Sequence, residues 1–226
     1  SIYTHFTGAR RDTGRDEGAT VIYQTAGKDS WFWFIPLPND RASVGVVGDI
    51  EHLIQGRDGD ATAIFYEELD KCEPLKERLQ DAEEAFAMKV TKDFSYRSKQ
   101  VSGPGWVLVG DAFGFLDPIY SSGIYLALKS GEWAADAVHD AIETGDFSPE
   151  RLGAFGPKLN EGLEALRKLV YAYYTKDFSF GRFLRRFPEC QQGIIDILSG
   201  NVYADSVREI FGPMGEMCEL PEEIPL

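Results

Sequence analysis

Asp111, Asp117, Ser121, Ser122 and Gly123 lie within one short stretch of the chain, Gly105 to Leu128, reading G-W-V-L-V-G-D-A-F-G-F-L-D-P-I-Y-S-S-G-I-Y-L-A-L. Their types suit the holding of a polyhydroxylated, negatively charged ligand. A carboxylate at Asp111 can accept hydrogen bonds from sugar hydroxyls. The unpaired N–H groups at the start of a helix, with the positive end of its dipole, can receive an anion. Elements must position these groups. Trp106 to Val109 is a short apolar run, predicted to be a strand buried on both faces, so that Asp111 sits where it ends. Asp117-Pro118 turns the chain, because the proline ring disfavours helical geometry at the residue before it. A helix is predicted over Ile124 to Val138, with Ser121 and Ser122 as N-cap residues and Gly123 allowing close backbone approach. The same pattern also fits a plain buried strand, a capping Asp and an ordinary serine cap, and spacing alone does not separate the two readings.

With 226 residues, 43% hydrophobic and 27% charged, the chain can bury a substantial core in one or two domains. A formal net charge of -14 argues against a general binder of nucleic acid or anionic membranes, which needs clustered basic surface. Cys72, Cys190 and Cys218 are odd in number, far apart and without metal-ligand spacing. They indicate neither a disulfide framework nor a metal site, and fit a reducing cytoplasm. No apolar run approaches the length of a membrane span, and no signal-peptide pattern opens the chain.

Strand-like runs at Ile2 to Thr7, Thr20 to Thr25, Trp31 to Pro36 and Ala42 to Val47, separated by Gly, Asp, Asn and Pro, predict an antiparallel sheet. Along Trp31-Phe32-Trp33-Phe34-Ile35-Pro36, alternation places Trp31, Trp33 and Ile35 on one face and Phe32 and Phe34 on the other, so both faces should be covered. Ala61 to Leu79 reads as a helix that Pro74 kinks or divides. Phe86 to Val101, including Phe94-Ser95-Tyr96-Arg97-Ser98, reads as a strand returning towards the Asp111 region, and Gly103-Pro104-Gly105 as a turn. Gly131, Ala134 and Ala135 make a small-residue helix face suited to close packing. Ser148-Pro149 opens a further helix, in which Leu152, Phe155, Leu159, Leu163, Leu166, Val170 and Tyr173 form an amphipathic core stripe despite Pro157.

Gly110-Asp111-Ala112 followed by Asp117-Pro118-x-x-Ser121-Ser122-Gly123 resembles the second flavin-binding motif of flavoprotein monooxygenases and their relatives, the flavin-dependent halogenases. The Trp31-x-Trp33-x-Ile35-Pro36 pattern is similar to the W-x-W-x-I-P of the halogenases in particular. The resemblance implies a mixed α/β (α+β) chain that is part of an FAD-dependent monooxygenase-like two-domain fold. It would have an antiparallel substrate-side sheet with a helix (1–100), an FAD-binding strand–helix segment (101–147) and a helical C-terminal region (148–226). By the same resemblance Asp111 binds the ribityl chain of FAD, with Gly110, Asp117, Pro118, Ser121, Ser122 and Gly123 around the cofactor. Ser122 and Gly123 also offer N–H groups to a halide. Trp31, Trp33, Ile35 and Pro36 wall the flavin from the substrate, and Phe113 and Tyr120 lie on the substrate side. Tryptophan-type members carry a glutamate where Tyr120 stands, which implies a phenol or pyrrole, free or tethered to a carrier protein.

The implied activity is use of reduced FAD, O2 and a halide to halogenate an electron-rich aromatic ring, with a flavin reductase supplying the reduced cofactor. A flavin monooxygenase or geranylgeranyl-reductase-like oxidoreductase of the same fold, and a non-catalytic fragment or assembly module, are the alternatives. No G-x-G-x-x-G follows a strand anywhere in the chain, so the likeness is to the C-terminal part of such a protein. The family's reactive lysine belongs to the part that is not matched. Lys28, Lys89, Lys92, Lys99 and Lys129 do not fit its motif, and no catalytic residue is assigned in this chain. Arg182, Arg185 and Arg186 lie opposite Phe183, Leu184 and Phe187 on a predicted helix, a solvated face that could also dock an acidic carrier.

Overall fold

A computed structural model describes residues 1–57, 59–92 and 95–225 of the chain. Two compact units divide it, Ser1–Asp93 and Phe94–Leu226.

In the first unit, strands β1 (Ile2–Thr7), β2 (Val21–Gln24), β3 (Ser30–Leu37) and β4 (Arg41–Gly48) form the predicted antiparallel sheet. Helices α1 (Ile50–Leu53), α2 (Ala61–Leu69) and α3 (Glu73–Leu79) follow, then the two-residue strands β5 (Glu83–Glu84) and β6 (Lys89–Val90). The strand order is β2-β3-β4-β1-β5, with β6 also paired to β1. Asn39 and Asp40, both at positive φ, turn β3 into β4. Asn and Asp tolerate that left-handed geometry better than other side chains. Pro74 falls in the first turn of α3, so it divides the predicted 61–79 helix where a missing N–H costs nothing.

Alternation sends Ile2, Phe6, Phe32, Phe34, Val44 and Val46 to the face that packs with Leu53, Ile64, Phe65, Leu69, Leu75 and Leu79 of the helices. Coverage of the two faces is unequal, contrary to expectation. Trp31 is buried, but Trp33, Ile35 and Pro36 are only half-buried. The Trp33 indole lies across Gly45, where an added Cβ would stand 2.3 Å from the ring, and its Nε1 donates to Ser43 Oγ at 3.1 Å. Trp31 and Trp33 tilt against each other with centroids 6.2 Å apart.

Beneath the start of β3 sits Glu68, 0% exposed. Its carboxylate accepts from Ser30 Oγ (2.7 Å), Arg57 Nη1 (2.7 Å) and Lys71 Nζ (2.6 Å), and its Oε2 lies 3.1 Å from His52 Nε2. Burial alone pushes the acid up. These hydrogen bonds outweigh it and bring the carboxyl down to about 2.

The second unit opens on small ladders. β7 (Tyr96–Arg97) pairs with β10 (Gly114–Phe115), and β8 (Ser102–Gly103) with β9 (Trp106–Val107). The strand expected over 86–101 is therefore two short pieces, β6 and β7, and Phe94 lies outside the described residues. Its return towards the Asp111 region holds through the β7–β10 pairing. Pro104-Gly105 turns β8 into β9 with Gly105 at φ +77, the geometry a type II turn asks of its third residue.

The Trp106–Val109 strand, expected to be buried on both faces, is corrected. Only Trp106–Val107 is strand, and Trp106 and Val109 are exposed. A short apolar run does not report its own burial. Here its ladder partner among the described residues is the two-residue β8.

Helices α4 (Gly123–Thr144), α5 (Pro149–Leu152), α6 (Gly156–Tyr174), α7 (Phe180–Arg186), α8 (Gln191–Leu198), α9 (Asp205–Glu209) and α10 (Phe211–Gly215) make up the rest. Ser148 caps α5 by accepting from Arg151 N at 3.4 Å, with Pro149 in the first turn. That helix stops at Gly153, however, and Pro157 belongs to the first turn of α6. The single helix read through Pro157 is thus two. Leu152, Leu159, Leu163, Leu166 and Val170 are buried as predicted. Of the expected small-residue face only Ala134 is buried, beside Ser130; a Cβ added at Gly131 would meet nothing within 4 Å, and Ala135 is exposed.

Candidate functional site

Asp111 lies in a 3-10 turn, Gly110–Ala112, rather than at a strand end. Gly110 holds φ +54, and a Cβ there would come within 3.2 Å of Ala127 Cβ on α4. Glycine is required twice over, by the left-handed backbone and by the close approach. The Gly110 N–H donates to Ser130 Oγ at 2.8 Å, and Ser130 Oγ donates back to Leu126 O at 2.7 Å. The turn is thereby fixed against the first turns of α4. The Asp111 carboxylate is exposed and makes no hydrogen bond among the described residues.

Asp117 caps the 3-10 turn Pro118–Tyr120. Its Oδ1 accepts from Ile119 N at 3.0 Å and its Oδ2 from Tyr174 Oη at 2.8 Å. Burial pushes the Asp117 carboxyl up, against the pull of those two donors. With both oxygens engaged, Asp117 acts on the backbone, and Pro118 starts the turn it caps.

Ser121 then takes the left-handed conformation at φ +52, and Ser122 stands at the N-cap of α4 with φ -81 and ψ -8. The expected serine caps are corrected, for neither side chain bonds the helix. A cap hydroxyl reaches the N2 or N3 amide from an extended backbone, and Ser122 is helical instead. The consequence is chemical: the first-turn amides of a 22-residue helix find no side-chain acceptor among the described residues. A Cβ added at Gly123 would stand 3.8 Å from the Phe115 ring, an ordinary contact. Ile124 and Leu128 beside that turn are 78% and 71% exposed.

A cavity of about 190 Å³ adjoins the turn, lined by Tyr120, Ser121, Ser122, Tyr125, Leu198 and Gly200 among others. Tyr120 donates its hydroxyl to Leu169 O at 3.2 Å, and burial with Tyr173 and Asp117 nearby raises its pKa above the ordinary value. Phe113 is buried in the core of the unit. A larger groove, about 600 Å³, runs past Trp133, Asp140, Asp146, Arg151 and Lys158. It shares no lining residue with Gly110–Gly123, and Asp146 is already paired with Arg151.

Ser130, Tyr96 and Tyr174 are the residues that sequence reasoning missed. A serine inside a helix usually bonds the carbonyl four residues back, and nothing in its spacing announces a second partner across the turn. The tyrosines act through distant backbone and side-chain groups. Cys72, Cys190 and Cys218 are free and buried. Among the described residues no group of His, Cys, Asp or Glu could hold a metal ion, and no helix is long and apolar enough to cross a membrane.

The chain matches the tryptophan halogenase family over residues 12–210. It is 30% identical over 197 residues to a 1H-pyrrole-2-carbonyl-(peptidyl-carrier protein) chlorinase from Pseudomonas fluorescens, covering 87% of this chain and 43% of that protein. It is 29% identical to the corresponding brominase from Pseudoalteromonas luteoviolacea, covering 88% of this chain and 48% of that one. The chain thus spans less than half the length of these curated relatives. The solved structure of the flavin-dependent brominase Bmp2 superposes with a TM-score of 0.80 at 27% identity, covering 95% of this chain and 54% of that one. With the mixed α/β fold shared and the family's pattern running through both units, this chain belongs to the tryptophan halogenase family.

Proposed function

We propose that the chain is the C-terminal portion of an FAD-dependent halogenase acting on an electron-rich aromatic ring, phenolic or pyrrolic. The observation that carries this reading is an Asp111 carboxylate without a partner among the described residues, in a turn that Gly110 packs against Ala127 and Ser130 of α4, a helix whose N-cap Ser122 makes no side-chain cap bond. Those groups fit FAD. A reduced flavin and a halide both bring negative charge, and the turn offers donors that the fold holds in place before any ligand arrives.

When bound, reduced FAD would supply two of the electrons that O2 accepts, the halide supplying the other two, to give hypohalous acid and water. We assign Asp111 to the ribityl hydroxyls, and the Ser122 and Gly123 amides to the flavin edge and the halide. Gly110 serves the close approach, and Asp117, Pro118 and Ser121 shape the turn. Trp31, Trp33, Ile35 and Pro36 would wall flavin from substrate, so that hypohalous acid travels between them. Tyr120 would face the ring, backed by Phe113. We assign no catalytic residue here, and place the pyrophosphate-binding G-x-G-x-x-G unit and the reactive lysine in the portion of such a protein that this chain does not span. Within the second unit we keep 101–147 as the flavin segment and 148–226 as the helical region, with 1–100 on the substrate side.

Relatives named for a pyrrole carried on a peptidyl carrier protein support a tethered pyrrole as the substrate class. Arg182, Arg185 and Arg186 are exposed on α7, Arg186 in an ion pair with Glu216 at 3.1 Å, and would meet an acidic carrier. A flavin reductase and a reducing cytoplasm complete the proposal. Titrating the longer protein that carries this chain with FAD while following flavin absorbance tests it, followed by that protein's product masses in chloride and in bromide. Binding that Asp111→Asn weakens, and a product mass that follows the halide, are expected. No binding by the longer protein, or a product indifferent to halide, would overturn the reading.

A further inference from the structure

One three-residue segment carries the Asp111 turn. Tyr96 Oη donates to Asp111 O at 2.8 Å, Ser98 Oγ to Ala112 O at 2.8 Å and Ser98 N to Phe113 O at 3.0 Å. Tyr96 and Arg97 pair with Phe115 and Gly114. Three successive carbonyls and the strand after them thus lean on residues 96–98. A two-residue ladder does not hold itself in water. What fixes it is the Arg97 side chain, 15% exposed.

That guanidinium donates from Nη1 to Asn160 Oδ1 at 2.5 Å and to Ile224 O, and from Nη2 to Pro225 O at 2.8 Å. It also stands 3.6 Å from Glu164 Oε1. Glu164 is 3% exposed; its Oε2 is taken by Arg167, while Oε1 has no hydrogen bond, so Arg97 is the second charge beside a buried carboxylate. The chain's last described residues are clasped along the same face of α6. Asn160 Nδ2 donates to Ile224 O at 3.1 Å, Arg167 to Glu222 O, and Lys168 Nζ to Glu223 Oε1 at 2.6 Å. Pro221 and Pro225 stiffen that segment.

We infer that Arg97 is a positioning residue for the Asp111 turn, and that residues 222–225 are the strap that locks its guanidinium in place. The inference rests on reading that turn as the flavin cradle. A planar fork meeting two consecutive carbonyls and an amide oxygen is a geometry that lysine does not reproduce. Losing the strap therefore frees Arg97, and a freed Arg97 loosens the turn at a distance from any ligand.

Hydrogen–deuterium exchange without flavin tests this in Arg97→Lys and in a chain ending at Leu220. Peptides covering 96–98 and 110–116 should exchange about tenfold faster in each, with β1–β4 and α2 unchanged. Adding Arg97→Lys to the shortened chain should change little more, because the two act through one contact. FAD affinity should fall by about three- to tenfold in each variant. Unchanged exchange at 110–116, an even rise across the second unit, or altered exchange with full FAD affinity would overturn the inference. A full-length chain that binds no FAD would sink the cradle reading while the exchange experiment still decides whether the strap holds the turn.

Discussion

Glu68 in the first unit and Asp111 in the second are carboxylates treated in opposite ways. Glu68 is wholly buried, and Ser30, Arg57, Lys71 and His52 surround its two oxygens. Asp111 is exposed, its carboxylate unmatched among the described residues, in a turn packed against Ala127 and Ser130 of α4. The first arrangement completes a scaffold, tying α1, α2 and the start of β3 into one knot beneath the tryptophan strand. The second leaves donors and an acceptor open at a turn whose backbone is held rigidly by Ser130 and residues 96–98. A buried charge must find its partners within the fold, or folding fails. A charge meant for a ligand must be held in place and left without partners.

That contrast can be broken or sharpened by substitution. Glu68→Ala should give the largest loss, about 3 kcal/mol in urea unfolding followed by tryptophan fluorescence, since it leaves the buried Ser30 hydroxyl and the half-buried Arg57 without their acceptor. The same carboxylate sets an acid limit. Its folded pKa of about 2 lies below the ordinary 4.5, so its stabilisation is full above pH 4.5 and is lost as pH falls from 4.5 towards 2. Acid titration of the Glu68→Ala chain should lack that component.

Gly45→Ala comes next, at about 1–3 kcal/mol, because the added methyl drives the Trp33 ring off the sheet. Near-ultraviolet circular dichroism should report the displaced indole. Ser130→Ala should cost about 1–2 kcal/mol by leaving the Gly110 N–H without its acceptor, and should weaken FAD binding without touching the cofactor. Asp111→Asn should be the smallest in stability, within about 0.5 kcal/mol. Its affinity for FAD should nevertheless fall by about tenfold or more, through loss of a charged acceptor. If Asp111→Asn proved as destabilising as Ser130→Ala, the contrast between scaffold and ligand site would be lost.

The sheet was legible because its alternation is unambiguous: Phe32 and Phe34 had to face one way and Trp31 and Trp33 the other. The division at Pro74, the Pro104-Gly105 turn and the Ser148 cap were legible for a similar reason, each resting on one residue's backbone chemistry. The Trp106–Val109 run and the helix drawn through Pro157 were not. Apolar runs and helical stripes state which residues prefer burial, and are silent about whether a neighbouring layer exists or where a glycine such as Gly153 interrupts them. Ser122 does stand at the N-cap, but its side chain makes no cap bond, because that bond presumes an extended backbone and Ser122 is helical.

By itself, the order of residues determined the antiparallel sheet, the long helix after Ser122, the candidate ligand residues and the resemblance that the family match upheld. Those are properties of local backbone preference and of short motifs. Tertiary structure alone decided that Asp117 is spent on Ile119 and Tyr174 while Asp111 is left open, that Ser130 pins Gly110, and that Arg97 joins the turn to residues 222–225. Apart from the local Asp117–Ile119 bond, each depends on contacts between groups far apart in the chain. Such pairings are set by the packing of whole elements and leave no periodic trace in the sequence.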